Sequence, residues 1–353
     1  MNKSYHICLS SKSEVLFRSN EDYYRAFNSY ALALLKTNST SLADAFMSNH
    51  FHAVVQTDNI VSVGRAFRLA YTMYFNKKYN RTGQLGNPYF FYLEIDGLYH
   101  HLAALSYVMR NPLHHGVSPT PYGYEHSSAN SIFMEALGKT PQKDFLPKKY
   151  HRHFISKDIN LPEKYRMNTN GMLLREDFTD IALVEKLYST PRSFNFYMNR
   201  RTTKEWLAEQ ESDNNLITID LIEQGYLESK NSSTHHIKES KIINESKMKE
   251  NKMGNLHKTN GQFKTNGQFK TDDQFHKTDN QLINQMLNHE LGKSNYTKIT
   301  DIQLCQTIDT LIISEYHKKS VYTLTLNEKI ELAKYLYQKY HPTKEQLQRC
   351  LIL

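Results

Sequence analysis

Cysteine is scarce in this chain. Its 353 residues include only Cys8, Cys305 and Cys350, far apart and forming no Cys-x-x-Cys pair. That spacing argues against a disulfide framework and against a cysteine-held zinc site. Apolar runs are short, and none approaches the ~18 residues that a membrane span needs. The stretch Met1-Asn2-Lys3-Ser4-Tyr5 opens no long apolar segment. No signal peptide is therefore expected, and the cytoplasm is the expected compartment. Acidic residues disappear entirely between Asp58 and Glu94. The whole chain carries 44 Lys and Arg against 36 Asp and Glu, a formal charge of +8. A basic chain with an acid-free stretch suits a polyanionic partner.

What is present begins with alternating strands and amphipathic helices. Ser4 to Ser10 reads as a first strand. Glu21 to Lys36 carries Tyr23, Tyr24, Phe27, Tyr30, Ala31 and Leu34 at helical spacing, with Ser19 or Asn20 as its cap. Leu42 to Met47 and His50 to Gln56 read as strands joined by Ser48-Asn49, the length of a tight hairpin turn. A helix over Val61 to Tyr79 follows, then a break at Gly86-Asn87-Pro88 and an aromatic strand over Tyr89 to Ile95. Leu98 to Arg110 reads as a helix stopped by Pro112, because a proline disfavours helical geometry at the residue before it. The order β-α-β-β-α-β-α predicts an α+β fold. The economical form is a ferredoxin-like four-stranded antiparallel sheet with helices on one face.

Beyond this unit, four divisions are expected: a core over 1–130, a helical elaboration packed on it over 131–228, a polar linker over 229–279, and a small all-α domain over 280–353. Met172 to Gln210 has helical spacing, and Trp206 falls in a short amphipathic helix. In the linker a six-residue unit repeats, Lys258-Thr259-Asn260-Gly261-Gln262-Phe263 and twice more to Phe275. One phenylalanine per unit cannot build a core, so a flexible tether is the expected reading. The C-terminal part offers helices over Gln281 to Leu291, Ile302 to Tyr316 and Asn327 to Tyr340. A turn and a helix capped by Thr343 follow, in the manner of a helix-turn-helix or a plain helical hairpin.

Chemistry concentrates at His50-Phe51-His52. Side chains alternate along a strand, so both imidazoles face one side and can share a divalent metal. Tyr107 is the candidate nucleophile downstream, and Asn111, one helical turn on, shares its face. Asn111 is a candidate third metal ligand or phosphate-site hydrogen bonder. A phenol with an ordinary pKa of about 10 needs deprotonation, and a cation to withdraw charge from a phosphate, before it can attack. Mg²⁺ or Mn²⁺ is the expected cofactor. Arg65, Arg68, Lys77, Lys78 and Arg81 lie in or near the acid-free stretch, interleaved with Phe67, Tyr71, Tyr74, Phe75, Tyr79 and Tyr89 to Tyr92. Cations can hold phosphates while aromatic rings stack on unpaired bases. With Arg110, these are the candidate DNA-binding residues.

Met47-Ser48-Asn49-His50-Phe51-His52 and Tyr107-Val108-Met109-Arg110-Asn111-Pro112, in that order, resemble the motifs of the single-tyrosine HUH transposases. Within them the chain looks most like the REP-associated tyrosine transposases, over about Lys3 to Ser128. The resemblance implies a nuclease core with a metal at His50 and His52, and Tyr107 cleaving single-stranded DNA to a 5′-phosphotyrosine and a free 3′-OH. It also implies religation without ATP. The expected partners are single-stranded or hairpin DNA, placing the protein at the nucleoid. A homodimer is left open, and no membrane partner is expected. The chain departs from the family at His114-His115, where Arg-Ala is usual, and at Gln84-Leu85-Gly86-Asn87-Pro88. A non-catalytic or domesticated nucleic-acid-binding regulator of the same fold is the alternative.

Overall fold

Alternation along the strands sorts the side chains of one sheet between two helical layers. The computed structural model describes residues 3–136, 138–140, 143–155, 159–199 and 299–353. Strands β1 (Lys3–Ser10), β2 (Thr40–Met47), β3 (His50–Thr57) and β4 (Phe91–Ile95) pair antiparallel in the order β2-β3-β1-β4. With helices α1 (Asn20–Lys36) and α2 (Ile60–Tyr79) as crossovers, this is the ferredoxin-like β-α-β-β-α-β arrangement. Met47 pairs with His50, so Ser48 and Asn49 do make a two-residue hairpin turn. Ser19 caps α1 in a reciprocal box with Asp22.

Ile7, Leu9, Phe46, Phe51, Ala53 and Val55 face α1 and α2. Aromatic rings knit this layer, with Phe46–Phe51 at 4.5 Å, Phe51–Phe67 at 4.8 Å and Tyr30–Phe51 at 5.0 Å between centroids. Each such ring contributes about 1.5–3 kcal/mol by its burial. Many aromatics of the acid-free stretch, including Phe67, Tyr71, Phe75 and Tyr79, are spent here.

The helices are not confined to one face. Helix α3 (Gly97–His114) crosses the opposite side, where Ala43, Ala45 and Val54 leave room for Leu102, Leu105, Val108 and Met109. Small residues on that face let the helix approach, and its apolar residues have no other place to be buried. Pro112 does not stop α3 either. The helix runs one turn further, closed by His115 N–H to Asn111 O at 3.1 Å and Val117 N–H to Pro112 O at 2.9 Å. A proline forfeits one backbone bond, and the burial of Leu105, Val108 and Met109 against the sheet offsets it here.

Of the stretch expected to be helical from Met172 to Gln210, the described part begins in a loop and turns helical at Ile181. After a helical turn, α4 (Lys148–His151), the chain makes a tight loop in which Asn168 Oδ1 accepts from the N–H groups of Asn170 and Met172. Gly171, at φ +82°, lies against the Phe154 ring where any Cβ would collide. Among the described residues after that loop, α-helices form at α5 (Ile181–Tyr188) and α6 (Pro191–Asn199). Tyr165, Met167, Leu173 and Phe178 pack on one face of the sheet, and Val184, Tyr188, Phe194 and Met198 on the other. Arg175 reaches under β2 and binds Asp44 with Nη2 to Oδ1 at 2.8 Å and Nε to Oδ2 at 2.9 Å. Both side chains are buried. Removing one partner of a buried pair strands the other charge, at a cost of about 3–5 kcal/mol. Arg175→Met is therefore expected to lower unfolding stability by about 3 kcal/mol in urea titrations, and a loss under 1 kcal/mol would mean that the carboxylate is solvated.

Three further helices, α7 (Asp301–Ser314), α8 (Leu326–Tyr340) and α9 (Lys344–Leu351), start in capping boxes at Thr300, Thr325 and Thr343. Their core takes in Leu304, Ile308, Ile312, Leu336 and Leu347, together with Val15 from the loop before α1. Arg18, fully buried, donates to Asp309 Oδ1 at 2.7 Å and to Cys350 O at 2.9 Å. Along Lys344–Leu351 the one exposed residue is the acidic Glu345. The six-residue repeat, Trp206 and the helix expected over Gln281 to Leu291 lie outside the described residues.

Candidate active site

Strand pairing brings a third histidine to the His50–His52 pair. On β1, Cys8 pairs with His52 and His6 with Val54, so His6 stands diagonally beside His52 on the α3 face. The ring centroids of His50 and His52 are 4.8 Å apart, and those of His6 and His52 are 5.4 Å apart. Tyr107, on α3, closes over them at 5.8 Å from His52 and 6.2 Å from His6. His114 lies 6.2 Å from the Tyr107 ring and His115 5.0 Å from His50. Thus His114 and His115 line the same cluster. His6 carries no motif signature. Only the period-two spacing of Ser4, His6, Cys8 and Ser10 hinted at its face, and the register with β3 decides its neighbour.

Asn111 sits where helical spacing from Tyr107 puts it. Its Oδ1 is 2.7 Å from His50 Nε2, and Asn49 Oδ1 is 2.9 Å from His50 Nδ1. Burial, with the neighbouring His115, pushes the His50 pKa down to about 3. A neutral imidazole has one N–H and one lone pair, so it cannot donate to both oxygens. For both contacts to be hydrogen bonds, one amide presents its nitrogen to the ring; a divalent ion, when bound, would draw on the same His50 and Asn111 groups. His52 is fully buried and neither ring nitrogen has a hydrogen-bond partner among the described residues. An orphaned neutral imidazole fits an unfilled coordination role.

Burial also lowers the His52 pKa well below its ordinary value, helped by His50, and brings that of His6 to about 3. Burial thus favours the neutral form of all three rings at pH 7, in which each keeps one nitrogen lone pair. His50, His52 and Asn111 are therefore the groups that could hold a divalent ion. Among the described residues, no three His, Cys, Asp or Glu side chains form a metal cage. An amide and two imidazoles leave coordination positions open to phosphate oxygens and water.

The proposed DNA-binding residues divide. Arg65 and Lys77 are exposed on α2. Arg68 donates to Pro88 O at 2.8 Å and lies over Phe90. Lys78 is held by Glu21 and Asp22, and Arg81 by Glu14 at 2.6 Å. Those carboxylates come from outside the acid-free window, so absence along the chain is not absence in space. Arg110 is buried on α3, one residue before Asn111. No helix among the described residues is long and apolar enough to cross a membrane.

Fold and site together define an α+β protein whose antiparallel sheet carries a buried histidine cluster under a helix-borne tyrosine. No protein-family model matches the chain, and neither does any curated protein. Among solved structures, it is similar to a REP-associated tyrosine transposase bound to a REP hairpin. Identity is 15% and the TM-score 0.33, over 40% of this chain and 83% of that one.

Proposed function

We propose that this chain is a metal-dependent single-stranded DNA endonuclease and strand transferase, a transposase acting on hairpin- or repeat-containing DNA. The observation that carries the reading is the packing of Tyr107 against His52, with Asn111 one turn along α3 and in contact with His50. In this reading Tyr107 gives its phenolic proton to water, Oη attacks the phosphorus and a new P–O bond forms. The P–O3′ bond breaks, and the departing oxygen takes a proton to become a free 3′-OH. A later 3′-OH reverses the exchange and joins two strands. A bound Mg²⁺ or Mn²⁺ supplies charge that draws electrons from the phosphate. Asn49 orients the His50 ring, and the neutral state of His50 and His52 keeps their lone pairs available.

A second reading, a nucleic-acid-binding regulator that does no chemistry, draws support from the burial of Tyr107, which is 7% exposed. Cleavage separates the two. With a hairpin-bearing single strand, EDTA is expected to stop cleavage and Mn²⁺ to restore it. His52→Ala is expected to lower the rate on the order of 100-fold, the upper range for lost metal-site groups. Full activity in EDTA would remove the metal from the reading. Binding without any cleavage in Mg²⁺ or Mn²⁺ would favour the regulator.

A further inference from the structure

The turn between β2 and β3 is gripped from outside the sheet. Ser48 O accepts from Leu16 N–H at 2.7 Å and Phe17 N–H at 3.2 Å, and Asn49 O accepts from Ser11 N–H at 2.8 Å. The Ser48 hydroxyl donates to Asp301 Oδ2 at 2.7 Å, across 253 residues of chain. Asp301 stands in the first turn of α7 and is itself fixed by Gln346 Nε2 at 2.9 Å and Arg349 Nη2 at 3.1 Å, both from α9. The next residue of the turn, Asn49, places its amide on His50 Nδ1. A short chain of contacts thus runs from α9 through Asp301 and Ser48 to the imidazole that faces Asn111.

We propose that the C-terminal helices complete the active site, with Asp301 as a positioning residue that fixes the Ser48–Asn49 turn and so the orientation of the His50 ring. This rests on the reading of His50 and His52 as metal-holding residues. Hairpin strands alone would leave the turn free to rock. Groups that orient a ligand from outside its coordination sphere commonly matter for metal affinity because a tilted imidazole misdirects its lone pair. The same contacts make the helices more than an appended DNA-binding module, since α7 supplies the residue that meets the turn and α9 the groups that fix that residue.

The test uses the full chain and Mn²⁺ itself, titrated by electron paramagnetic resonance, beside thermal unfolding and cleavage kinetics. Asp301→Ala and Ser48→Ala are each expected to weaken Mn²⁺ binding by about 10-fold. Asp301→Asn should recover most of it, because a serine hydroxyl can accept from an amide as well as donate to a carboxylate. Ser48→Ala leaves Asp301 with Gln346 and Arg349, so it tests the contact even if Asp301→Ala unfolds. Mn²⁺ affinity within twofold of wild type in Ser48→Ala, while His52→Ala loses binding, would overturn the positioning role alone. A wild type that takes up no Mn²⁺ would overturn the metal reading and this inference with it.

Discussion

Tyr107→Phe is expected to end covalent capture of DNA while leaving the fold in place. The ring packs against His6, His52 and His114, and phenylalanine keeps that packing. Loss of the phenolic oxygen removes the only atom of this side chain able to attack phosphorus, so cleavage should fall on the order of 10⁴-fold or more. A single strand labelled at its 3′ end is incubated with protein and run on a denaturing gel. Wild type should carry label into the protein band as a 5′-phosphotyrosine, and Tyr107→Phe should carry none while still binding the strand. If the adduct persists in the variant, another tyrosine is the nucleophile, and Tyr99, earlier on the same helix, becomes the next to test.

Mild acid should destabilise this protein. His6, His50 and His126 are buried, and burial lowers each pKa to about 3 from an ordinary value near 6.5. The folded chain keeps these rings neutral. The unfolded chain takes up a proton on each below pH 6.5, so acid favours the unfolded state. Their stabilising contribution is complete above pH 6.5 and is lost as pH falls from there toward 3. At pH 5.5 each ring costs about 1.4 kcal/mol relative to pH 7.5, or about 4 kcal/mol for the three. His52, shifted in the same direction, adds to the loss. Against a typical total of about 5–15 kcal/mol this is a large fraction. Urea titrations of metal-free protein from pH 7.5 to 5 measure it. His126→Phe keeps the stack on Tyr23, at 4.1 Å, and should flatten the slope by one proton. Stability that stays level to pH 5 would mean that these rings are already protonated in the fold.

Strands and helices around the site were legible because their signals are local. Alternation put His50 and His52 on one face, and an i to i+4 step put Asn111 beside Tyr107. What was not legible depends on contacts distant in sequence. His6 belongs to the cluster only because β1 pairs with β3 in one register. The stretch without acids looked like an open cationic surface, yet Glu14, Glu21 and Asp22 fold back onto Arg81 and Lys78. Pro112 was read by its local preference, which the burial of α3 overrides. Arg18, in an undistinguished loop, gave no sign that it would be buried against Asp309. The contact of Asp301 with the His50 turn was equally hidden, since nothing in either segment names the other.

That ion pair also sets a clock. Arg18 and Asp309 are 291 positions apart. A ribosome adding ~5–20 residues each second takes about 15 to 60 s to make the intervening chain. Throughout that time the guanidinium has no permanent counter-ion and must stay in water. The loop that carries it, and the hairpin turn resting on that loop, cannot close in their final form. A nascent chain therefore holds its histidines and its tyrosine well before it holds them in register. The finished site waits until Asp309 has been made, and a message truncated before Asp309 would yield the strands without this pair.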